Sequence, residues 1–315
     1  MSVFRTLINI PAPSFQIHHQ HQLLLVGSCF TKHIGTYLNR CQFSVLVNPY
    51  GICYNPFSIA SAAKAQPLNE FDFFENEGIW RHWDLHSEFA HQDLNSAKAT
   101  AHQLHQNASR FLNKTDVLIL TLGTAEVFHL ANQNRIVANC HKMPAKHFDR
   151  KRLSVSETTD ILRSSFQELR EKRPNLNIIL TVSPVRHLRM GAIENQRSKS
   201  VLLLACEELS NSLPNTYYFP AYELIMDDLR DYRFYEKDLI HPSDLAVEYV
   251  QTCFAQTFFQ KETIALITQI EKIRQALEHR PFNPNTSQHL AFLEKVQTKI
   301  SALEADYPEI QFNWG

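Results

Sequence analysis

Three short, predominantly apolar stretches constrain this 315-residue chain most. They are Leu23-Leu24-Leu25-Val26, Asp116-Val117-Leu118-Ile119-Leu120-Thr121-Leu122 and Asn177-Ile178-Ile179-Leu180-Thr181-Val182. Each is shorter than a core helix and lacks the alternation of a half-wet strand, so each predicts a strand buried on both faces. Phe43–Val47 and Thr216–Phe219 add two more, and Phe4 to Ile10 reads as an edge strand ended by Pro11 and Pro13. Helical patterns lie between the strands, over roughly Thr31–Arg40, Phe57–Ala65, Asn95–Leu112, Ser156–Lys172 and Glu194–Leu213. Strands and helices that alternate in this way predict an α/β fold: a three-layer α/β/α flavodoxin-like sandwich with a five-stranded parallel sheet.

Two segments stand apart from that alternation. Residues 69–92 are aromatic and irregular, with Phe71, Phe73, Phe74, Trp80, Trp83 and Phe89, and read as an insertion that lines a pocket or forms a lid core. Glu126 to Val137 reads as a hairpin around Asn132-Gln133-Asn134. After Pro242 the chain turns helical, from Asp244 to about Glu278 and from Ser287 to about Ala305, with a turn at Pro281-Phe282-Asn283-Pro284-Asn285. Ile264, Ile267, Ile270, Ile273 and Leu277 form one apolar stripe. The expected organisation is an α/β domain over residues 1–260 and a C-terminal helical hairpin over 261–315. That hairpin either packs on the domain or joins two copies as a homo-oligomer.

Composition narrows the function classes. Lys plus Arg number 31 and Asp plus Glu 32, a net charge of −1, which leaves no electrostatic footprint for nucleic acid or an anionic membrane. No apolar run approaches the ~20 residues of a membrane span. The start of the chain lacks a basic region followed by an apolar stretch, so no secretory signal is expected. Six cysteines without a C-x-x-C pair fit free thiols in a reducing cytoplasm.

In an open parallel sheet, ligands bind beyond the carboxyl ends of the strands. Four such ends carry Gly27-Ser28, Asn48-Pro49-Tyr50-Gly51, Gly123-Thr124-Ala125-Glu126 and Ser183-Pro184-Val185-Arg186-His187. Ser28 is placed either as a nucleophile or as a helix N-cap. A nucleophilic serine needs a base with an orienting acid, and Asp238-Leu239-Ile240-His241-Pro242 offers both at the lip of the next helix. The alternative is a turn aspartate beside a satisfied histidine. Arg186 and His187 suit a substrate anion or a surface ion pair. Glu126 reaches the same edge or merely starts the hairpin. Asn139 and His141 read as turn residues or as support for the site. The groups His18, His19, His21 and His82, His86 lack a ligand framework and read as surface loops, so no metal is expected. Cys29 reads as a structural thiol.

Taken together, Gly27-Ser28-Cys29-Phe30-Thr31, Leu122-Gly123-Thr124-Ala125, Ala138-Asn139-Cys140-His141-Lys142, Thr181–His187, Glu194-Asn195-Gln196-Arg197-Ser198-Lys199 and Asp238–Ser243 resemble the GSCFA-domain family of the SGNH (GDSL-like) hydrolase superfamily. The resemblance spans roughly residues 20 to 255, with Thr31 in place of the fifth letter of the name motif. It implies Ser28 as nucleophile, His241 as general base and Asp238 as its orienter. It implies an oxyanion hole from the backbone of Ser28 and Gly51. The superfamily's G-x-N block is replaced by Gly123-Thr124-Ala125, so Thr124 stands where an Asn donor is usual. Gly123, Glu126, Arg186 and His187 would face substrate. The implied activity is that of a serine esterase or deacylase acting on a small-molecule or carbohydrate ester without a cofactor. The alternatives are a non-catalytic glycan-binding module that keeps the pocket, and an acyltransferase.

Overall fold

A computed structural model describes residues 5–131, 133, 135–279 and 286–312. In chain order the elements are β1 (Gln22–Gly27), α1 (Cys29–Arg40), β2 (Ser44–Val47), α2 (Pro56–Ala63), β3 (Phe73–Asn76), β4 (Ile79–His82), α3 (Leu94–Leu112), β5 (Val117–Leu122), β6 (Glu126–Leu130), β7 (Arg135–Val137) and β8 (Phe148–Arg152). They continue with α4 (Val155–Lys172), β9 (Asn177–Val182), α5 (Ala192–Ser212), β10 (Thr216–Phe219), α6 (Ala221–Glu223), α7 (Asp244–Phe258), α8 (Lys261–Glu278) and α9 (Ser287–Asp306).

The main sheet has five strands in the order β10-β9-β5-β1-β2, every pair parallel. This is the expected flavodoxin-like architecture. The chain steps outward from β1 to β2 and then returns across β1 to β5, so the order reverses beside the carboxyl end of β1. Gly27, Thr121 and Thr181 lie in one row across β1, β5 and β9.

Successive strand residues point to opposite faces, and both faces are apolar because both are covered. Leu24, Val26, Leu118 and Leu120 pack with Ile59, Phe166 and Leu202 from α2, α4 and α5. Leu23, Leu25, Val117 and Ile119 pack with Phe30, Leu38, Val250 and Phe254 from α1 and α7. In a third cluster Leu266, Ile270 and Ile273 of α8 meet Val296, Ile300 and Leu303 of α9. A bidentate pair from Arg40 to Glu271, both bonds 2.9 Å, ties α8 to α1.

Four expectations change. Residues 5–10 form no strand. Arg5 instead reaches the Tyr249 hydroxyl and the Asp228 carboxylate, so side chains rather than a ladder hold this segment. The long C-terminal helix breaks at Phe259-Gln260, because Ile17 bridges Phe259. Ile17 donates to Phe258 O at 2.6 Å and its carbonyl accepts from Gln260 at 3.3 Å. The 126–137 hairpin gains a third strand, β8, whose sequence Phe-Asp-Arg-Lys-Arg carries no apolar alternation. The insertion contains its own hairpin, β3–β4, which packs Phe74 on Trp83 with ring centroids 3.7 Å apart. The expected turn over 281–285 and residues 132 and 134 lie outside the described residues.

Candidate functional site

The site starts from the way β1 ends. Gly27 has φ +148°, and a Cβ there would lie 2.2 Å from the Thr121 carbonyl oxygen, so only glycine fits. Its N–H donates to Asn48 Oδ1 at 2.8 Å, and its carbonyl accepts from Cys53 at 3.2 Å. The next residue, Ser28, is the N-cap of α1 by its backbone, but its side chain makes no capping bond. Ser28 is fully buried and its Oγ has no hydrogen-bond partner. The capping role therefore does not account for this hydroxyl.

Asp238 and His241 meet. Asp238 Oδ2 lies 2.7 Å from His241 Nδ1, while Oδ1 accepts from the N–H groups of Ile240 and His241 at 2.8 and 3.0 Å. These bonds, the His241 backbone bond foremost, hold the Asp238 carboxyl at about 2. An ionised carboxylate can only accept, so Nδ1 is the donor in this pair. Both side chains are half-exposed. Arg186, in the loop after β9, donates to Leu239 O and Ile240 O, which places the Asp238–His241 loop at the carboxyl edge of the sheet, the edge at which β1 delivers Ser28. Ser28 Oγ and His241 are not hydrogen-bonded.

The residues expected to face substrate divide. Arg186 donates from Nη2 to Leu239 O at 2.8 Å and from its backbone to Ile240 O at 3.4 Å, and its guanidinium lies 4.8 Å from the Tyr235 ring centroid. It thus grips the Asp238–His241 loop. His187 is held by its backbone N–H on Asn195 Oδ1 at 2.8 Å and by its ring against Tyr54. Its Nε2 is buried without a partner. Glu126 is ion-paired to Arg150 at 2.9 Å within the β6–β8 sheet.

The expected oxyanion donors are already engaged. The Ser28 N–H donates to Thr121 O at 3.1 Å and the Gly51 N–H to Asn48 O at 2.8 Å. The N–H groups of Gly123 and Thr124 both donate to Tyr54 O, at 2.8 and 3.0 Å. The Thr124 hydroxyl lies 3.0 Å from Ser198 Oγ and accepts from the Glu126 N–H. The donor left over is Asn48 Nδ2, buried with no partner while its Oδ1 holds Gly27. The sequence signal for Asn48 was its place at the end of β2, three residues before the glycine that drew attention.

Asp72, His82 and Asp84 are close enough to share a cation. The cation already there is the Arg135 guanidinium, paired with both carboxylates. Both ring nitrogens of His82 are engaged, with Asn69 O and the Asp84 N–H. His141 is buried beneath the insertion, with Nε2 2.9 Å from His82 O and Nδ1 3.1 Å from Ser87 Oγ.

Burial pushes both His141 and His187 from 6.5 down to about 4. For His187 the nearby charges of Lys199 and His241 add to the effect. Below about pH 6.5 the unfolded chain then binds protons that the folded chain refuses. Stability is complete above that pH and is lost as pH falls toward 4, by on the order of 1–3 kcal/mol per histidine. Urea midpoints measured from pH 7 to 4.5 should fall, and His141→Gln should flatten the decline. A midpoint independent of pH would contradict this account.

No helix among the described residues is long and apolar enough to cross a membrane. A search of curated proteins finds no match. Among solved structures, similar chains include a carbohydrate esterase family 3 protein from Talaromyces cellulolyticus, with TM-score 0.37 and 8% identity over 79% of this chain and 99% of that one. A carbohydrate esterase family 2 enzyme with a carbohydrate binding domain, from Corynascus thermopiles (Myceliophthora fergusii), has TM-score 0.40 and 13% identity over 83% and 69%. An acetyl xylan esterase from Butyrivibrio proteoclasticus has TM-score 0.40 and 9% identity over 83% and 65%. A family model described as the C-terminal domain of GSCFA domain proteins matches residues 270–313. The model of the GSCFA family matches residues 22–254, the whole parallel sheet with its strand-end loops, and the chain belongs to that family.

Proposed function

We propose that the protein is a serine hydrolase that cleaves an ester through Ser28, His241 and Asp238. Ser28 Oγ attacks the acyl carbonyl, and His241 Nε2 takes the hydroxyl proton and delivers it to the departing alcohol. Water then enters, gives a proton to His241, and releases the acid with the proton returned to Ser28. Asp238 keeps the proton of the neutral imidazole on Nδ1 and stabilises the imidazolium. The observation that carries this reading is the pairing of an oriented Asp238–His241 dyad with a buried serine hydroxyl that no structural bond uses. The Ser28–His241 bond has to form when substrate arrives, and catalytic hydrogen bonds are often long before that point. Asn48 Nδ2 and the positive end of α1 are suited to the developing oxyanion, and His187 Nε2 to a polar group of the substrate.

A fluorophosphonate probe tests the reading directly. Peptide mapping should find the phosphonate on Ser28, and His241→Ala should slow labelling by roughly 10³-fold. A folded wild-type protein that resists the probe yet binds an acylated sugar would replace the enzyme with a binding module.

A further inference from the structure

One charged side chain of the site has no place in that scheme. Lys199 is fully buried. It stands on α5 in line with Leu202, Cys206 and Leu209, the stripe that packs on the sheet. Its Nζ donates to Gly123 O at 2.7 Å and to Ser183 O at 2.6 Å, the carbonyls just beyond β5 and β9. The face of Tyr222 lies 5.9 Å away. Among the described residues no carboxylate pairs with it.

Its neighbours on the same helix face work alike. Asn195 Oδ1 accepts from the His187 N–H, and Ser198 Oγ accepts from the Ala125 N–H at 2.7 Å. Positions 195, 198 and 199 share one side of the helix, so the first turns of α5 form a polar plug under the loops after β5 and β9. A plug of hydrogen-bonding groups needs no charge, and a buried cation without a counter-ion is costly. Gly123, which Lys199 holds, lies two residues beyond Thr121, the acceptor of the Ser28 N–H, and the Lys199 charge acts on the Cys29 thiol and on His187.

We propose that Lys199 is an electrostatic positioning residue: it fastens the ends of β5 and β9 and, as the ammonium, places positive charge beneath the loops that surround Ser28. This rests on the serine mechanism only for its consequence, the stabilisation of the oxyanion that develops on the acyl group when Ser28 attacks. Two carbonyl acceptors at short range and an aromatic face favour the ammonium, against burial that draws it down to about 7. Lys199 touches no substrate in this scheme. It acts through the field and the geometry of the two loops.

Two substitutions separate charge from tether. Lys199→Gln keeps an N–H donor and removes the charge, whereas Lys199→Met removes both. If the charge matters, both variants should phosphonylate Ser28 at least about tenfold more slowly than wild type at pH 6, where the ammonium prevails. If only the tether matters, Gln keeps the wild-type rate and Met alone is slow, and the proposal fails. Histidine NMR gives a readout independent of the nucleophile. The His187 titration should move upward in Lys199→Gln, and an unchanged midpoint overturns the proposal even if the wild type labels. Wild-type protein that fails to label at Ser28 removes the serine mechanism instead, and the His187 titration then decides the role of Lys199. Should neither variant fold, the ¹³Cε resonance of Lys199 in the wild type must report an ammonium at pH 6; a neutral amine there is fatal to the idea.

Discussion

Ser28→Ala is expected to abolish turnover of short-chain aryl esters, a fall of at least roughly 10³-fold in kcat, while leaving the fold intact or slightly more stable. The stability half of this expectation separates a nucleophile from a cap. A serine whose hydroxyl caps a helix costs about 0.5–2 kcal/mol when replaced by alanine. Ser28 Oγ makes no such bond and is buried without a partner. Its removal therefore relieves a polar group that burial leaves unsatisfied, worth up to about 1 kcal/mol in the stabilising direction. Urea midpoints and ester turnover on the same preparations check both halves. A destabilised alanine variant with wild-type turnover would restore the capping role and end the case for Ser28 as nucleophile.

The parts of the molecule that could be read beforehand share one physical property: their signals are local. Strands β5, β9 and β10 are short, predominantly apolar runs or are bounded by Pro and turn residues, and the ladder forms where those runs lie. The Asp238–His241 contact is likewise local, since an Asx-type turn over three residues brings carboxylate and imidazole together. What escaped is set by long-range partners. The break at Phe259 depends on Ile17, far away in the chain. Strand β8 is specified by its partner β6 rather than by its own charged sequence. Arg186 looks like an anion ligand until Leu239 O is seen beside it. The state of the expected oxyanion donors is set by long-range partners too. A backbone N–H seems available in a sequence, and only the fold reveals that Gly51 and Thr124 have given theirs to Asn48 and Tyr54. Lys199 did leave a trace, a lysine standing on an apolar helical stripe.

Gly27→Ala should be severely destabilising. The residue ends β1 at the switch point, at φ +148°, where L side chains are strained. An added methyl would meet the Thr121 carbonyl oxygen at 2.2 Å and the Thr121 nitrogen at 2.9 Å, both rigid ladder atoms of β5. Neither can move without loosening the β1–β5 pairing or the bond from the Ser28 N–H to Thr121 O. Backbone strain and overpacking together predict a loss of about 3–5 kcal/mol. Gly78 gives the control, because its φ is also positive, at +73°, but nothing lies within 4 Å of an added Cβ. Gly78→Ala should cost only about 1 kcal/mol, the conformational part alone. Guanidinium unfolding of the two variants measures the difference. Any Gly27→Ala protein that folds should also label slowly with fluorophosphonate, since the shift that accommodates the methyl moves the turn carrying Ser28. Equal stability in the two variants would mean that β1 does not pass Thr121 this closely, and the placement of Ser28 would fall with it.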